Sequence, residues 1–173
     1  RRTADLFAGS QILVALSKAV KSELETVSKS MVYPVADTND LPNKLVAVIP
    51  WEQVDTIAVN ARGCLLQTWC DITRTARTYL RSVEPHPDDA WNSIFDRQIG
   101  KPEDDPHPYW EIYWAAAKIQ DAGYAQAYLE AEQAINSAKR CRTFAQIPEP
   151  GIKDNFSGRR EALHTKNQDA RGY

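Results

Sequence analysis

Two long helical patterns, separated by two short strand-like segments, constrain this chain more than any other feature. The first pattern begins in "RRTADLFAGSQILVALS", where Thr3 can cap a helix and Asp5 suits the positive end of its dipole. Its apolar residues recur at helical intervals and fall on one face: Leu6, Leu13, Leu16, Val20, Leu24 and Val27. The second pattern runs from Trp51 to about Arg81 with the same periodicity. The sequence therefore predicts two long amphipathic helices.

Between the helices, the sequence predicts a β-hairpin. "SMVYPVADT" (30–38) is rich in β-branched and aromatic residues, and Pro34 within it favours an edge strand. "KLVAVIP" (44–50) is a short apolar run typical of a covered strand, and the turn residues "TNDLPN" precede it. Pro50 ends this second strand.

The second half of the chain is less regular. Residues 83–108 are acidic and rich in proline, which predicts a loop with at most one short helix near "AWNSIFDRQI". "YWEIYWAAAKI" (109–119) alternates large side chains and predicts a strand, although its alanines favour helix. A third helix is expected from Tyr124 to about Phe144, and the tail beyond "PEPG" has no apolar periodicity.

The order helix, strand, strand, helix, strand becomes β-α-β-β-α-β if one strand stands in front, which is the ferredoxin-like arrangement. We therefore expect an α+β chain whose first, central strand is missing through truncation or disorder, or is supplied by another polypeptide. Residues 1–119 would form this domain, with an acidic loop at 83–108. Residues 120–173 would form a helical insert and tail.

Charge and cysteine content narrow the class of protein. The net charge is only −2, but residues 82–107 carry seven acidic against two basic residues, and residues 138–173 carry eight basic against four acidic residues. The basic end is the better candidate for a polyanion, although a solvated surface explains either run. Three cysteines without a Cys-x-x-Cys pair indicate a reducing compartment, so we expect a cytoplasmic protein, and no apolar run is long enough to span a membrane.

Several separated blocks together resemble one known family. They are "RRTADLFAGSQILVALS", "VYP", "LPNKLVAVIP", "WEIYWAA" and "GIKDNFSGRREAL", and they cover the chain from Arg1 to about Leu163. In this order they are similar to the Cmr-type (type III-B) large subunit of CRISPR RNA-guided antiviral complexes. Ala4 and Phe7 depart from the family's first block, which has Arg and Trp there.

The resemblance implies a large protein with two ferredoxin-like palm domains. Such subunits convert ATP into cyclic oligoadenylate when target RNA is bound, through a Gly-Gly-Asp-Asp turn in the second palm. This chain has no Gly-Gly, and His86, His107 and His164 precede Pro, Pro and Thr, so the His-Asp pair of the family's nuclease domain is also absent. The match is therefore to the first, non-catalytic palm and the start of the following insert, and we expect no catalytic residue in this chain.

The resemblance also implies a nucleotide-binding position on the first helix. The family's serine that matches Ser10 lies where two ATP molecules meet between the palms, and Gly9 would allow close approach of a ligand. Arg2 and Asp5 are further candidates for phosphate and ribose contacts. The alternatives are a serine bonded to its own helix and ordinary surface or capping residues. ATP is the expected ligand, with Mg²⁺ or Mn²⁺ in the other palm of the parent protein.

The tail block "GIKDNFSGRREAL" stands where related chains carry a cysteine-based zinc knuckle. Asp154 and Ser157 occupy the two ligand positions, and a carboxylate with a neutral hydroxyl makes a poor structural zinc half-site. We therefore expect the turn without zinc, with Arg159 and Arg160 facing solvent or RNA. A second half-site elsewhere in the parent protein would change that expectation.

Other groups of reactive residues have simpler interpretations. The histidines and acids around His86 and His107 could form a metal site, but loops of this composition are usually solvated. The aromatic residues of 109–114 could stack on bases but more often pack in a core, and the three cysteines suit small core positions.

The partners implied are the other subunits of the Cmr complex, the CRISPR RNA and the target RNA, and no membrane. Two other functions stay open. The first is an adaptor with the same fold and an empty cleft, whose basic tail docks RNA or a neighbouring subunit. The second is an unrelated ferredoxin-like regulatory module that is completed by dimerisation.

Overall fold

The computed structural model describes residues 2–28, 30–35, 41–83, 88–104, 107–121, 123–141, 150–154 and 160–164. Within them the chain is α+β and mostly helical. Its elements are α1 (Arg2–Val27), β1 (Ser30–Tyr33), β2 (Val46–Val48), a short 3-10 turn (Trp51–Gln53), α2 (Val54–Val83), α3 (Asp89–Ile99) and α4 (Gly123–Arg140). No described helix is both long and apolar enough to cross a membrane.

The predicted hairpin is confirmed. β1 and β2 form a two-stranded antiparallel sheet in which Ser30 lies opposite Val48 and Met31 lies opposite Ala47, with an irregularity before Tyr33. The Tyr33–Pro34 peptide bond is cis. α1 contacts β1, so the first helix packs against the hairpin that follows it.

The chain divides into two compact units. The first comprises Arg1–Trp69 and Ile112–Arg142, and the second comprises Cys70–Glu111 and Thr143–Tyr173. The boundary between them thus falls inside α2. In the first unit the buried apolar residues are Val14, Leu16, Leu41, Ile57, Leu66, Trp69 and Ala127, and in the second they are Trp91 and Ile94. The predicted boundary at residue 119 stays a prediction.

The predicted buried face of α1 is only partly correct. Leu16 is 2% exposed, but Leu6 is 76% exposed and Leu13 is 40% exposed. Val14, Ser17 and Lys21 are buried instead, at intervals of three and four residues. Lys21 can occupy such a position because its alkyl stem packs while its amine pairs with Glu25 at 2.6 Å.

The predicted strand at Tyr109–Ile119 is wrong, since this segment lies in neither a strand nor a helix. A strand is defined by a neighbour that completes its hydrogen bonds, and the sheet of the described residues consists of β1 and β2 alone. The fourth strand of a ferredoxin-like palm is therefore not formed here.

Two further helices agree with the sequence. The short helix expected in the acidic loop is α3, whose N-terminus is capped by Asp88 through a hydrogen bond from the Trp91 backbone N–H at 3.0 Å. It ends at Gly100, whose φ of 75° suits glycine, and a Cβ there would come within 2.5 Å of Pro108. The expected third helix is α4, which begins at Gly123.

Candidate functional site

The candidate nucleotide position lies in the N-terminal third of α1. Gly9 and Ser10 are both exposed, and an added Cβ on Gly9 would meet nothing within 4 Å, so a ligand could approach the helix backbone there. Residues 6–11 are all exposed, which leaves these turns of α1 uncovered by the described residues. Arg2 and Asp5 belong to the same helix, but their side chains lie outside the described part.

The Ser10 hydroxyl is not used by its own helix. Among the described residues it makes no hydrogen bond, whereas several other helix hydroxyls donate to a carbonyl three or four residues back. Ser137 on α4, for example, donates to the Gln133 carbonyl at 2.8 Å. Ser10 therefore offers both a donor and an acceptor to a ligand.

Two large apolar side chains are exposed one turn before Ser10. Leu6 is 76% exposed and Phe7 is 66% exposed, one turn before Ser10. Their exposure leaves apolar surface next to the Gly9–Ser10 position.

The tail forms a short hairpin in the second unit. Lys153 and Glu161 form an antiparallel bridge, flanked by backbone hydrogen bonds from Asp154 to the Arg160 carbonyl at 2.8 Å and from Ala162 to the Ile152 carbonyl at 2.7 Å. The loop of this hairpin, with Ser157 and Arg159, lies outside the described residues. Arg160 is exposed, so its side chain is accessible to a partner.

The zinc-ligand positions do not fit a zinc half-site. An Asp154 carboxylate oxygen accepts a hydrogen bond from the Arg160 backbone N–H at 3.2 Å, which closes the hairpin without a metal. No group of three or more histidine, cysteine or acidic residues that could hold a metal exists in the described ranges. Carboxylate and hydroxyl are also a weak donor set for structural zinc. The absence of zinc stays a prediction.

A buried carboxylate that sequence reasoning missed holds the tail hairpin against α3. Glu161 is 7% exposed, and its carboxylate forms an ion pair with Arg97. Its backbone carbonyl accepts a hydrogen bond from the Gln98 side-chain amide at 2.7 Å. The Nε2 atom of His164 lies 3.9 Å from an oxygen of the same carboxylate. A Cβ on Gly151 would clash with the Glu161 side chain, so the hairpin needs glycine there. In the sequence, Glu161 is simply one acid after two arginines, which gives no signal of this role.

The acidic loop provides caps and turns for the chain's own backbone. Asp88 caps α3, and an Asp104 oxygen accepts a hydrogen bond from the Lys101 backbone N–H at 2.7 Å. Buried His107 accepts hydrogen bonds at Nδ1 from the backbone N–H groups of Tyr109 and Trp110 at 3.2 and 3.1 Å. Of the other residues of the hypothetical metal site, Asp89 is exposed in the first turn of α3, and His86 and Asp105 lie outside the described part.

A cleft of about 180 Å³ lies between α2 and α3 in the second unit. Arg77 lines it and is fixed by hydrogen bonds to Asp96 at 2.7 Å and Asn92 at 2.8 Å, and its guanidinium lies 5.1 Å from the centre of the Phe95 ring. Cys70 also lines the cleft, and burial raises the pKa of its thiol, which keeps it protonated and unreactive near neutral pH. These groups join the two helices and contain no candidate nucleophile.

Comparisons with protein-family models, with curated proteins and with solved structures found no match to this chain.

Proposed function

We propose that this chain is the first, non-catalytic palm of a Cmr-type CRISPR large subunit, together with the start of its helical insert. It contributes half of an ATP-binding cleft, and the parent protein uses that cleft to make cyclic oligoadenylate. The catalytic groups belong to the other palm, and Ser10 and Gly9 contact the nucleotide. Arg2 and Asp5 assist at the phosphate and ribose.

One observation carries the nucleotide-binding part of this proposal. Ser10 presents an exposed hydroxyl without an intrahelical hydrogen bond, directly after a glycine with open space above it. A site that forms only when two palms meet needs such groups on an uncovered surface rather than in a closed pocket. The order α1, β1, β2, α2 with an antiparallel hairpin supports the palm arrangement, although the described residues form no fourth strand of it.

The experiment that tests the proposal is Ser10→Ala in the full-length parent protein, assembled with its guide and target RNA. We expect oligoadenylate synthesis to fall at limiting ATP and to recover partly at saturating ATP, because a ground-state contact is lost. Ser137→Ala is the matched control, since that exposed helix serine bonds only its own helix. Unchanged synthesis by Ser10→Ala across all ATP concentrations contradicts the assignment.

The adaptor function is the second candidate, and the exposed side chains of Leu6 and Phe7 favour it. An adaptor would use this apolar surface for a neighbouring subunit and leave the cleft empty. ATP titration of the assembled complex separates the two functions. A binding half-site raises the melting temperature as ATP increases, whereas an adaptor shows no such stabilisation.

A further inference from the structure

His107 is a buried histidine whose Nδ1 atom is bonded to the backbone of its own turn. It lies in the second unit, shortly after α3, and is 7% exposed. Its Nδ1 atom accepts hydrogen bonds from the backbone N–H groups of Tyr109 and Trp110, at 3.2 and 3.1 Å. A ring nitrogen that accepts hydrogen bonds carries no proton, so this imidazole is neutral and its one proton is on Nε2. The turn 107–110 therefore depends on a neutral histidine.

This turn packs closely against the C-terminal end of α3. A Cβ added to Gly100, the residue that ends the helix, would come within 2.5 Å of the Pro108 ring and 3.0 Å of the Nε2 atom of His107. The imidazole and the proline ring thus lie against the backbone of Gly100. The two hydrogen bonds to Nδ1 consequently hold the turn in the shape that fits the helix end.

Protonation would reverse the role of Nδ1. The nitrogen would become a donor that faces two other donors, and a charge would appear at a buried position. Histidine is the side chain that ordinarily changes its charge between about pH 5 and pH 8. We propose that His107 is an acid-sensitive switch, which holds the turn 107–110 on the end of α3 when neutral and releases it when protonated.

The release should be local because other contacts hold α3. The Arg77 guanidinium on α2 bonds Asp96 at 2.7 Å and Asn92 at 2.8 Å, and Arg81 bonds Asn92 at 2.7 Å. None of these contacts involves the turn. We therefore expect α3 to stay on α2 when the turn opens. This inference is independent of nucleotide binding and of the palm assignment.

The acidic groups that follow α3 do not produce the same response. The Asp104 carboxylate accepts a hydrogen bond from the Lys101 backbone N–H at 2.7 Å, and Glu103 is exposed. Carboxyl groups ordinarily change their charge near about pH 4, well below the range of histidine. A response between about pH 7.5 and pH 5.5 is therefore that of a histidine.

The other described histidine should respond with the opposite sign. The Nε2 atom of His164 lies 3.9 Å from an oxygen of the buried Glu161 carboxylate, which is also paired with Arg97 on α3. A proton on His164 would add an attraction to that carboxylate rather than break a contact. His164 is therefore the matched control for His107.

The first test is hydrogen exchange of the Tyr109 and Trp110 amides in the full-length protein. An unfolded histidine takes up its proton at about pH 6.5, so the turn is fully stabilised above that pH and loses stability below it. We expect the exchange of both amides, corrected for the intrinsic rate, to increase about tenfold per pH unit below this value. Exchange that does not change between pH 7.5 and pH 5.5 would overturn the proposal. An equal increase for the α3 amides would overturn it as well, since unfolding would then not be local.

The second test replaces each histidine. His107→Asn keeps a side-chain oxygen that can accept the same N–H groups but cannot be protonated in this range, so we expect the acid response to disappear. His164→Gln should retain it. An acid response that survives in His107→Asn contradicts the proposal.

A third measurement does not depend on any variant. Nitrogen-15 NMR of the histidine side chains in the unaltered protein should show an unprotonated Nδ1 and a protonated Nε2 for His107 at pH 7.5. A proton on Nδ1 under these conditions would overturn the proposal, whatever the folding of His107→Asn.

Discussion

An ion pair anchors a segment in each compact unit, and the two pairs differ in burial. In the second unit, Arg97 holds the tail hairpin through Glu161, which is 7% exposed. In the first unit, Lys44 joins the start of β2 to α4 through Glu132, with side chains that are 44% and 29% exposed. Burial raises the cost of leaving one partner without the other, so similar contacts have very different consequences when broken.

The surroundings strengthen this contrast. The Glu161 residue also joins a β-bridge and accepts a hydrogen bond from Gln98, so its side chain and backbone fix the hairpin together. Lys44 has the Tyr128 ring 5.5 Å away as a second neighbour, but water reaches its amine. The buried Glu161 carboxylate therefore determines the structure of the tail hairpin, whereas the exposed Lys44–Glu132 pair makes only a small contribution to the structure around it.

The largest expected effect is that of Glu161→Ala. It leaves the partly buried guanidinium of Arg97 without its carboxylate, and breaking such a pair costs about 3 kcal/mol. Urea unfolding followed by tryptophan fluorescence measures the change. Glu130→Gln, at an exposed position of α4, is the control and should change the free energy of unfolding by less than about 0.5 kcal/mol. If Glu161→Ala and Glu130→Gln changed the free energy of unfolding equally, the predicted importance of the buried ion pair would be contradicted.

An intermediate effect is expected at Asp88, a half-buried carboxylate that bonds backbone rather than a cation. Asp88→Ala removes the cap of α3 and should lower the free energy of unfolding by about 1 kcal/mol. Asp88→Asn keeps an acceptor oxygen and should restore most of the loss. The same denaturant measurement applies, and a loss by Asp88→Asn as large as that of Asp88→Ala would show that charge rather than capping is responsible.

Sequence periodicity predicted the helices and the hairpin well because each depends on local spacing. The intervals of three and four residues defined α1 and α2, and the turn residues before Lys44 marked the hairpin. Which face of α1 is buried was predicted only in part, since the packing partner decides it. Leu6 is exposed while Lys21 is buried, and periodicity cannot anticipate that.

Features that depend on contacts between residues far apart in the chain could not be predicted from the sequence. Residues 109–119 have the alternation of a strand but no neighbour in the described chain, so their pattern did not become a strand. The anchoring by Glu161 joins residues 64 positions apart. For the candidate site, the sequence predicted Gly9 and Ser10, and the structure adds the open space and the unused hydroxyl.

The smallest effect, and the one that sharpens the comparison, is the pH dependence of the exposed pair. The hydrogen bond from Lys44 lowers the pKa of Glu132, and the hydrogen bond to Glu132 raises the pKa of Lys44. The contribution of Glu132 is therefore present above the ordinary carboxyl pKa and is lost as the pH falls through its lowered value. That of Lys44 is present below the ordinary amine pKa and is lost as the pH rises through its raised value.

Glu132→Gln should consequently reduce stability slightly and equally between about pH 5 and pH 9, and the difference from the unaltered protein should shrink below about pH 4. Because water screens the pair, 0.5 M NaCl should also remove most of this difference. Thermal unfolding across pH measures it, with Glu130→Gln as the control. A stability difference between Glu132→Gln and the unaltered protein that persists in salt and in acid would mean that Glu132 acts through packing rather than charge. The Lys44–Glu132 pair would then be more similar to the buried Arg97–Glu161 pair than its exposure indicates.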